Sequence, residues 1–372
     1  MKKNENKIVD IGGQAVMEGV MMRGPEATAI TVRRPDGSMV AKYQSFVPVS
    51  KKHPWMGKPF IRGAVNMATM LYYGMNTLED STKMLGVLEE EPTKFERWLS
   101  EKFGKSVDKI VMAVAIILAV VLAVGLFIVI PSFIENLLKN AGMKPLGYTL
   151  ISGVIKILIL IGYMLFCSKV PDVRRTFQYH GAEHKTVYCH EANRELTPAN
   201  AQEYSTLHPR CGTAFLLIVF FISILLFLVL NCTLLKNVTN YFLRFFCHIL
   251  MLPIIAGVSY EALKGLAHSD SRIARILRWP GLQMQRLTTK QPDESMLECA
   301  IVSMNLVLNG GLPEHVERTP EGWAILHSYK ESAKGYVPDA QETVGMTDSN
   351  VPVIEVTDEE TSGSDTVPED NK

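Results

Sequence analysis

The chain has 372 residues, of which 47% are hydrophobic, and its 38 lysines and arginines balance its 38 aspartates and glutamates. A balanced charge creates no net field toward a polyanion, and no basic patch is interleaved with aromatic residues, so nucleic-acid binding is not expected. The apolar residues are concentrated in a few long blocks, which indicates an integral membrane protein rather than a series of soluble domains.

Residues 1–109 are predicted to form a cytosolic N-terminal region that begins with a glycine-rich segment. This segment, Ile11–Gly24, contains Glu18 and Arg23 among methionines, which indicates close backbone packing or a ligand loop. Its glycine spacing matches no phosphate-binding loop. Glu18 and Arg23 are therefore candidate cofactor-binding residues, and the alternative, preferred on spacing alone, is an internal ion pair between them at a tight turn.

The rest of this region is predicted to contain a small β element and an amphipathic helix. Ala27–Arg34 and Met39–Val47 flank a run of turn-forming residues and are typical of two strands. From Phe60 to Gly86, apolar residues recur at helical spacing, but polar interruptions argue against a membrane span. This helix is expected on the membrane surface or on the protein core.

Four apolar segments of roughly twenty residues are each long enough to cross a hydrocarbon core of about 30 Å as a helix. They are Ile110–Ile130, Gly147–Cys167, Thr213–Leu235 and Tyr241–Leu263, in two pairs over residues 110–168 and 213–263. Basic residues are dense in the intervening loop, 169–212, and after the fourth segment, and sparse in the two short connections. The positive-inside rule therefore predicts a multi-pass cell-membrane protein with both termini and the long loop in the cytosol.

Lys156 lies near the middle of the second predicted span, where a charged side chain is costly. One interpretation is a lysine that faces a polar cavity or carries a substrate charge. The other is a misplaced boundary, with the ammonium group reaching toward the interface along its apolar stem. The sequence leaves both open.

The loop 169–212 contains the main candidate site. On a helix, the i, i+4 spacing puts His180 and His184 on one face, where two imidazoles can bind one cation, and Glu183 is adjacent to both. The H-x-x-E-H pattern is the inverted form of a zinc-protease motif, in which the glutamate activates water. Imidazole and thiolate donors suit zinc or iron, so a divalent transition metal, zinc first, is the expected cofactor. Gly181 disfavours a helix here by about 1 kcal/mol relative to alanine.

The further ligands of this site remain open at the level of sequence. His208 and Cys211, separated by two residues, offer an imidazole and a thiolate, and Glu261 lies at the cytosolic end of the fourth span. A structural zinc would use both helix histidines with His208 and Cys211, whereas a catalytic zinc would keep one position for water. Arg210 is a candidate to hold an anionic group.

The C-terminal part is predicted to contain a cytosolic helical region, residues 264–330, and a tail, residues 331–372. Ser295–Leu308 has one apolar face after a Pro-Asp-Glu start, as expected of a helix on the cytosolic domain. The tail is polar and acidic, with too little hydrophobic content to fold alone. The predicted fold class is thus an α-helical membrane protein with four spans, a small cytosolic α+β portion and a disordered acidic tail.

Several long strings, in order along the chain, resemble the YqhQ-like family of bacterial multi-pass membrane proteins. They are IGGQAVMEGVMMRG at 11–24, YHGAEHKT at 179–186, HPRCGT at 208–213, SYE at 259–261 and PGLQMQRLTT at 280–289. The family carries a label of unknown function and is sometimes described as predicted metal-dependent enzymes. The resemblance implies a cell-membrane protein with a cytosolic metal site. The matching candidate positions are Glu18, Arg23, His180, Glu183, His184, His208, Arg210, Cys211 and Glu261.

Two functions follow as hypotheses. The first is a metal-dependent membrane enzyme, a zinc hydrolase, in which Glu183 deprotonates water. The second is a non-enzymatic transporter or assembly factor, in which the histidine cluster is a structural metal clip or a hydrogen-bonded group and Lys156 belongs to a polar path. The bilayer is the expected partner, together with a membrane-protein partner or a second copy, and the substrate is not indicated.

Overall fold

The computed structural model describes residues 11–47, 49–86, 107–235, 238, 240–267, 269 and 271–334. One compact unit comprises Met1–Gly335, and Tyr336–Lys372 forms a second unit outside the described residues. The predicted disordered tail therefore lies almost wholly outside the described part of the chain.

The β element is an antiparallel sheet of five strands in the order β1-β2-β3-β4-β5. The strands are β1 Gly12–Val16, β2 Gly19–Arg23, β3 Ala27–Arg33, β4 Met39–Ser45 and β5 Ala324–Leu326. β3 and β4 occupy the two positions predicted as strands. The glycine-rich segment forms a hairpin rather than a loop, since Val16 pairs with Gly19 across a turn at which Glu18 has a φ of 51°. β5 was not predicted. It joins the sheet beside β4, where Leu326 pairs with Met39.

The helices fall into a group on the sheet and a group of long apolar helices. Their bounds are α1 Ile61–Leu85, α2 Val107–Val124, α3 Ile130–Asn140, α4 Pro145–Cys167, α5 Pro171–Glu191, α6 Pro198–Gln202, α7 Gly212–Cys232, α8 Tyr241–Ala267, α9 Arg272–Thr288 and α10 Glu294–Asn309. Short helical turns occur at Val49–Lys52, Pro54–Gly57 and Tyr329–Ser332.

The sheet is covered on both faces. One face packs on α5 and α10, with Met22 of β2, Tyr179 of α5 and Leu297 of α10 all fully or nearly fully buried. The other face contains Val32 of β3 and packs on Met84 near the end of α1. Helix α10 lies where its apolar periodicity predicted it. Its N-terminus is capped by the side chain of Asp293, and it ends at a left-handed glycine.

Three helices among the described residues are long and apolar enough to cross a membrane: Ala113–Asn140, Pro145–Cys167 and Phe242–Leu266. The third predicted span, Thr213–Leu235, corresponds to α7, of which the apolar part with described side chains, Leu216–Cys232, is shorter. The first apolar helix also continues past its predicted end at Ile130. A π-helical turn at Gly125–Val129 precedes Pro131 there, so the helix is not broken at the proline.

Candidate metal centre

The candidate histidines lie on a long helix rather than in a loop. Helix α5 starts with Pro171 in its first turn and runs without a break through Gly181 to Glu191. Gly181 is needed for packing, because a Cβ there would overlap the carbonyl oxygen of Lys290. The Lys290 amide also donates to the carbonyl of Phe177 at 2.8 Å. Gly181, which disfavours a helix on propensity alone, therefore allows the chain after α9 to pack directly against α5.

Three potential ligands converge beside this contact. The nearest ligand atoms of His180, His184 and Cys211 all lie within 4.8 Å of one another. His180 Nε2 is 3.2 Å from Cys211 Sγ, and the two imidazole rings are 4.5 Å apart between centroids. His184 and Cys211 are buried, and His180 is half-buried. Two nitrogen donors and one sulfur donor of this kind suit zinc or another transition metal.

Backbone carbonyls orient both imidazoles. His180 Nδ1 is 2.9 Å from the carbonyl oxygen of Thr288, and His184 Nδ1 is hydrogen-bonded to the carbonyl oxygen of Thr206. A carbonyl oxygen only accepts, so each Nδ1 must carry the proton and donate. In neutral rings the Nε2 lone pairs therefore face the cluster. This is the arrangement found in metal-binding histidines, whose second nitrogen donates to a carbonyl or a carboxylate.

One buried acceptor atom of the cluster lacks a hydrogen-bond donor. His184 Nε2 is buried and has no hydrogen-bond partner among the described residues. Glu183 Oε2 lies 3.4 Å from His184 Nε2 and 3.9 Å from His180 Nε2. Two imidazole lone pairs, a carboxylate and a thiol sulfur thus face one small volume. Burying an unpaired acceptor is unfavourable, and a cation between these atoms would remove that cost. The donor set therefore fits a divalent transition metal.

Glu183 is placed by the hairpin of the sheet. A Cβ on Gly13 of β1 would lie 2.7 Å from Glu183 Cγ and 2.6 Å from the carbonyl oxygen of Met21. Real Cβ atoms do not approach so closely, so Gly13 is the residue that allows β1 to pack on this carboxylate. The glycine-rich segment therefore contacts the histidine cluster through Gly13, which packs on Glu183. Its charged residues, Glu18 and Arg23, do not make this contact.

Glu18 supports the helix one residue before the first histidine. Its carboxylate accepts from the Arg175 guanidinium and from the Tyr179 hydroxyl at 3.3 Å. Burial, together with the nearby charge of Glu18, raises the pKa of Tyr179, so the phenol stays protonated and remains a donor. The preferred ion pair between Glu18 and Arg23 is wrong. The Arg23 guanidinium instead lies 4.6 Å from the ring centroid of Phe46, away from the histidines.

His208 and Arg210 form a second layer around the cluster. His208 Nε2 is 3.3 Å from a carboxylate oxygen of Glu191, and its Nδ1 accepts from the Arg210 amide at 3.3 Å. The Arg210 guanidinium also pairs with Glu191. Burial opposes ionisation of Glu191, but His208 and Arg210 outweigh it and hold the pKa of this carboxyl below its usual range. Both nitrogens of His208 are thus engaged outside the three-donor group.

The structure does not bring Glu261 into the group either. Its carboxylate forms a two-point pair with Arg62 of α1, at 2.7 Å from Nε and 2.5 Å from Nη2. A paired arginine fork of this kind holds a carboxylate in a fixed orientation. Glu261 therefore joins α8 to α1, which corrects its predicted role as a metal ligand.

One residue that sequence reasoning missed is Gln285 of α9. Its side chain is fully buried, accepts from the His208 amide at 2.8 Å and donates to the His208 carbonyl at 2.8 Å. This two-way bond fixes the loop that leads to Cys211. Since α9 also supplies the Thr288 carbonyl to His180, it orients two members of the cluster. The only signal was the string at 280–289, which contains Gln285.

Comparison with known proteins places the chain in a family. A family model described as "Protein of unknown function (DUF1385)" matches residues 58–310. The chain is also 32% identical over 304 residues to "Uncharacterized protein YqhQ" of Bacillus subtilis (strain 168), covering 80% of this chain and 92% of that protein. The chain belongs to the DUF1385 family. The resemblance to YqhQ-like proteins is confirmed, and no solved structure matches the chain.

The DUF1385 region contains the whole three-donor group and the α9 contacts that orient it. Helix α5, Cys211 and Gln285 all lie between residues 58 and 310. The hairpin that packs Gly13 on Glu183 lies before the start of this region. The family match therefore covers the potential ligands and the α9 contacts that orient them, while the sheet adds the contact to the carboxylate.

Proposed function

We propose that this protein is a metal-dependent hydrolytic enzyme of the cell membrane, with its active site on the cytosolic side. One observation carries the proposal: the Nε2 atoms of His180 and His184 and the sulfur of Cys211 converge beside the Glu183 carboxylate. Structural zinc sites use four protein ligands, whereas catalytic sites use three and keep one position open. Because His208 is engaged by Glu191, the group supports a three-ligand catalytic site better than a four-ligand structural one.

The roles follow from the geometry. His180, His184 and Cys211 would hold a zinc ion, which when bound supplies a Lewis acid and lowers the pKa of water. Glu183 is buried, lies within 4 Å of both imidazoles and is fixed by the packing of Gly13, so its carboxylate is placed to take the proton of the attacking water. The same carboxyl group would then pass the proton to the leaving group.

Arg210 would bind an anionic part of the substrate. Its side chain is 42% exposed, and its pairing with Glu191 holds it beside His208, next to the three-donor group. A guanidinium is the side chain best suited to pair with a carboxylate or a phosphate.

The fold supports a location at the membrane surface. Helix α5 begins four residues after the end of the apolar helix α4, so the cluster lies near one end of a candidate span. Helix α9, which orients the cluster, exposes Ile273, Ile276 and Trp279 at 71%, 70% and 61%. Arginines at 272, 275 and 278 lie between these apolar residues, as in helices that lie in a membrane interface.

Metal content tests the proposal directly. We expect about one zinc or iron ion per chain in detergent-purified protein, and its loss in His180→Ala, His184→Ala and Cys211→Ala. His208→Asn is the matched control, since asparagine can still accept from the Arg210 amide. That variant should keep the metal. Metal-free wild-type protein after metal-replete purification, or equal loss in the control, would refute the three-ligand site.

Glu183→Gln tests the role of the base separately. The amide keeps the size of the side chain and cannot accept the proton of water at the same atom. The variant should keep its metal and lose hydrolysis by at least about a hundredfold in a substrate screen of membrane lipids and peptides. Loss of the metal would instead make Glu183 a ligand. Undiminished hydrolysis would exclude it as the base.

A further inference from the structure

A second polar cluster lies among the apolar helices, near the start of α4 rather than its end. It surrounds a cavity of about 20 Å³ between α3 and α8. The cavity is lined by Ser132, Glu135, Asn136, Lys139, Arg244, Phe245 and His248. The metal-site candidate lies beyond the other end of α4, a helix of 23 residues that is about 35 Å long. None of the metal-site residues contributes to it.

The two basic side chains of the lining are held in place by backbone and amide oxygens. Arg244 donates from Nη2 to Asn231 Oδ1 at 2.9 Å and from Nη1 to the Leu235 carbonyl at 3.3 Å. Lys139 Nζ donates to the Val238 carbonyl at 3.1 Å. These contacts neutralise no charge, because all the acceptors are neutral. In these contacts neither cation is paired with an acidic group.

A third cation lies behind the lining. Lys156 Nζ is 4.7 Å from the ring centroid of Phe227, and this ring is 4.6 Å from the ring of His248. The carboxylate of Glu135 interacts electrostatically with both Lys156 and Arg244. Lys139, Lys156 and Arg244 thus face a single acidic group within this cluster. The excess of positive charge favours an anion over a cation.

His248 provides an independent sign of a missing partner. The residue is only 8% exposed, lines the cavity, and its Nε2 has no hydrogen-bond partner among the described residues. A buried ring nitrogen without a partner is unfavourable. An anionic oxygen in the cavity would accept a hydrogen bond from a ring N–H of His248 and lie between the two fixed cations.

Depth and size identify the class of ligand. Lys139 is the penultimate residue of α3, and Arg244 lies three residues after the start of α8, so both are about 5 Å or less from a helix end. This depth corresponds to lipid headgroups if the helices cross a bilayer. The cavity has room for about one water-sized group, enough for a single oxygen of a larger group that stays outside.

We infer that this cavity binds a phosphate oxygen, supplied by the headgroup of an anionic phospholipid. The inference does not depend on the proposed hydrolytic activity. It gives a role to Lys156, singled out from the sequence, which lies within the apolar helix α4 near Glu135 and a buried histidine. The charged side chains then serve a lipid site at the end of the helices opposite to the three-donor group.

Native mass spectrometry of the full-length protein in detergent tests this site with phosphatidylglycerol, and with zwitterionic phosphatidylcholine for comparison. Lys139→Gln should weaken phosphatidylglycerol binding by about tenfold, and Lys139→Arg should restore it. Glu135→Gln should strengthen binding by about threefold or more, because it removes the one repelling charge. Lys144→Gln is the matched control, since it removes an exposed lysine near the same end of α4 and should leave binding unchanged.

The outcomes separate the sources of the phosphate. Preferential binding of phosphatidylglycerol that millimolar inorganic phosphate does not displace supports the lipid site. Displacement by inorganic phosphate, with the same response to the variants, overturns the lipid as the source and leaves a site for free phosphate. Weaker binding in Glu135→Gln would show that the site takes a cation. An effect of Lys139→Gln no larger than that of Lys144→Gln would overturn the site itself.

Discussion

At the scale of single residues, Gly181 has less room for a side chain than any other glycine that the structure describes. Its Cα faces the Lys290 carbonyl, and the chain there continues from Thr288, whose carbonyl orients His180. Gly181→Ala improves intrinsic helix propensity by about 1 kcal/mol, but the added methyl group must displace backbone. We expect a net loss of stability of about 1–3 kcal/mol and a loss of bound metal.

Thermal unfolding and metal analysis of Gly181→Ala check this expectation. The matched control is Gly162→Ala in α4, where an added Cβ meets no atom within 4 Å. The control should keep the wild-type midpoint or exceed it slightly, because alanine favours the helix. A Gly181→Ala protein as stable as Gly162→Ala, with its metal retained, would contradict the packing argument.

The pairing of His180 with His184 was predictable from spacing, because i, i+4 residues share a helix face. The orientation of their rings was not. It depends on carbonyls at Thr206 and Thr288, which are 22 and 108 residues away from the histidines they contact. Similarly, Glu18 and Arg23 are close in sequence but have different partners. Glu18 accepts from Arg175 of α5, whereas Arg23 lies against the ring of Phe46.

At the scale of elements, α9 is the helix on which the cluster most depends. Gln285→Leu keeps the approximate volume of the side chain and leaves both the amide and the carbonyl of His208 without their buried partner. Each unpaired buried group costs about 1–3 kcal/mol. The loop to Cys211 should then loosen, so we expect metal affinity to fall by about tenfold or more.

Competition with a chelator of known zinc affinity measures this effect. Gln283→Leu, two residues away on the same helix, controls for the loss of a glutamine amide, since the Gln283 side chain makes no hydrogen bond to the loop among the described residues. Affinity in Gln285→Leu equal to that of the control would show that the loop to Cys211 is held by other contacts. If both variants unfold to the same extent, the loss of metal affinity comes from destabilisation of α9 rather than of the loop.

The elements themselves differed in how far the sequence predicted them. β3, β4, α1 and α10 follow local periodicity and turn residues, and these signals suffice where one face of an element is buried. β5 has only three residues, and its pairing with β4 joins Met39 to Leu326, which are 287 residues apart in the sequence. Such pairing depends on tertiary packing and leaves no local pattern. The continuation of the first apolar helix past Pro131 likewise depends on its π-helical turn.

At the scale of the whole molecule, the two polar clusters should face opposite sides of the membrane. Helix α4 has 23 residues and is about 35 Å long, which is enough to cross a hydrocarbon core of about 30 Å. The phosphate cavity lies near its start and the three-donor group lies beyond its end. The dense basic residues of 169–212 predict that the second end is cytosolic.

Reporter fusions test this arrangement. Alkaline phosphatase, which is active only outside the cytosol, should be active when fused after Met143 and inactive when fused after Asn193. Green fluorescent protein should show the opposite pattern, because the positive-inside rule keeps the basic loop 169–212 in the cytosol. The reverse result would place His180, His184 and Cys211 outside the cytosol, where thiols are readily oxidised. A metal ligand must be a thiolate, so the cytosolic orientation is the one in which Cys211 can remain a sulfur donor of the three-donor group.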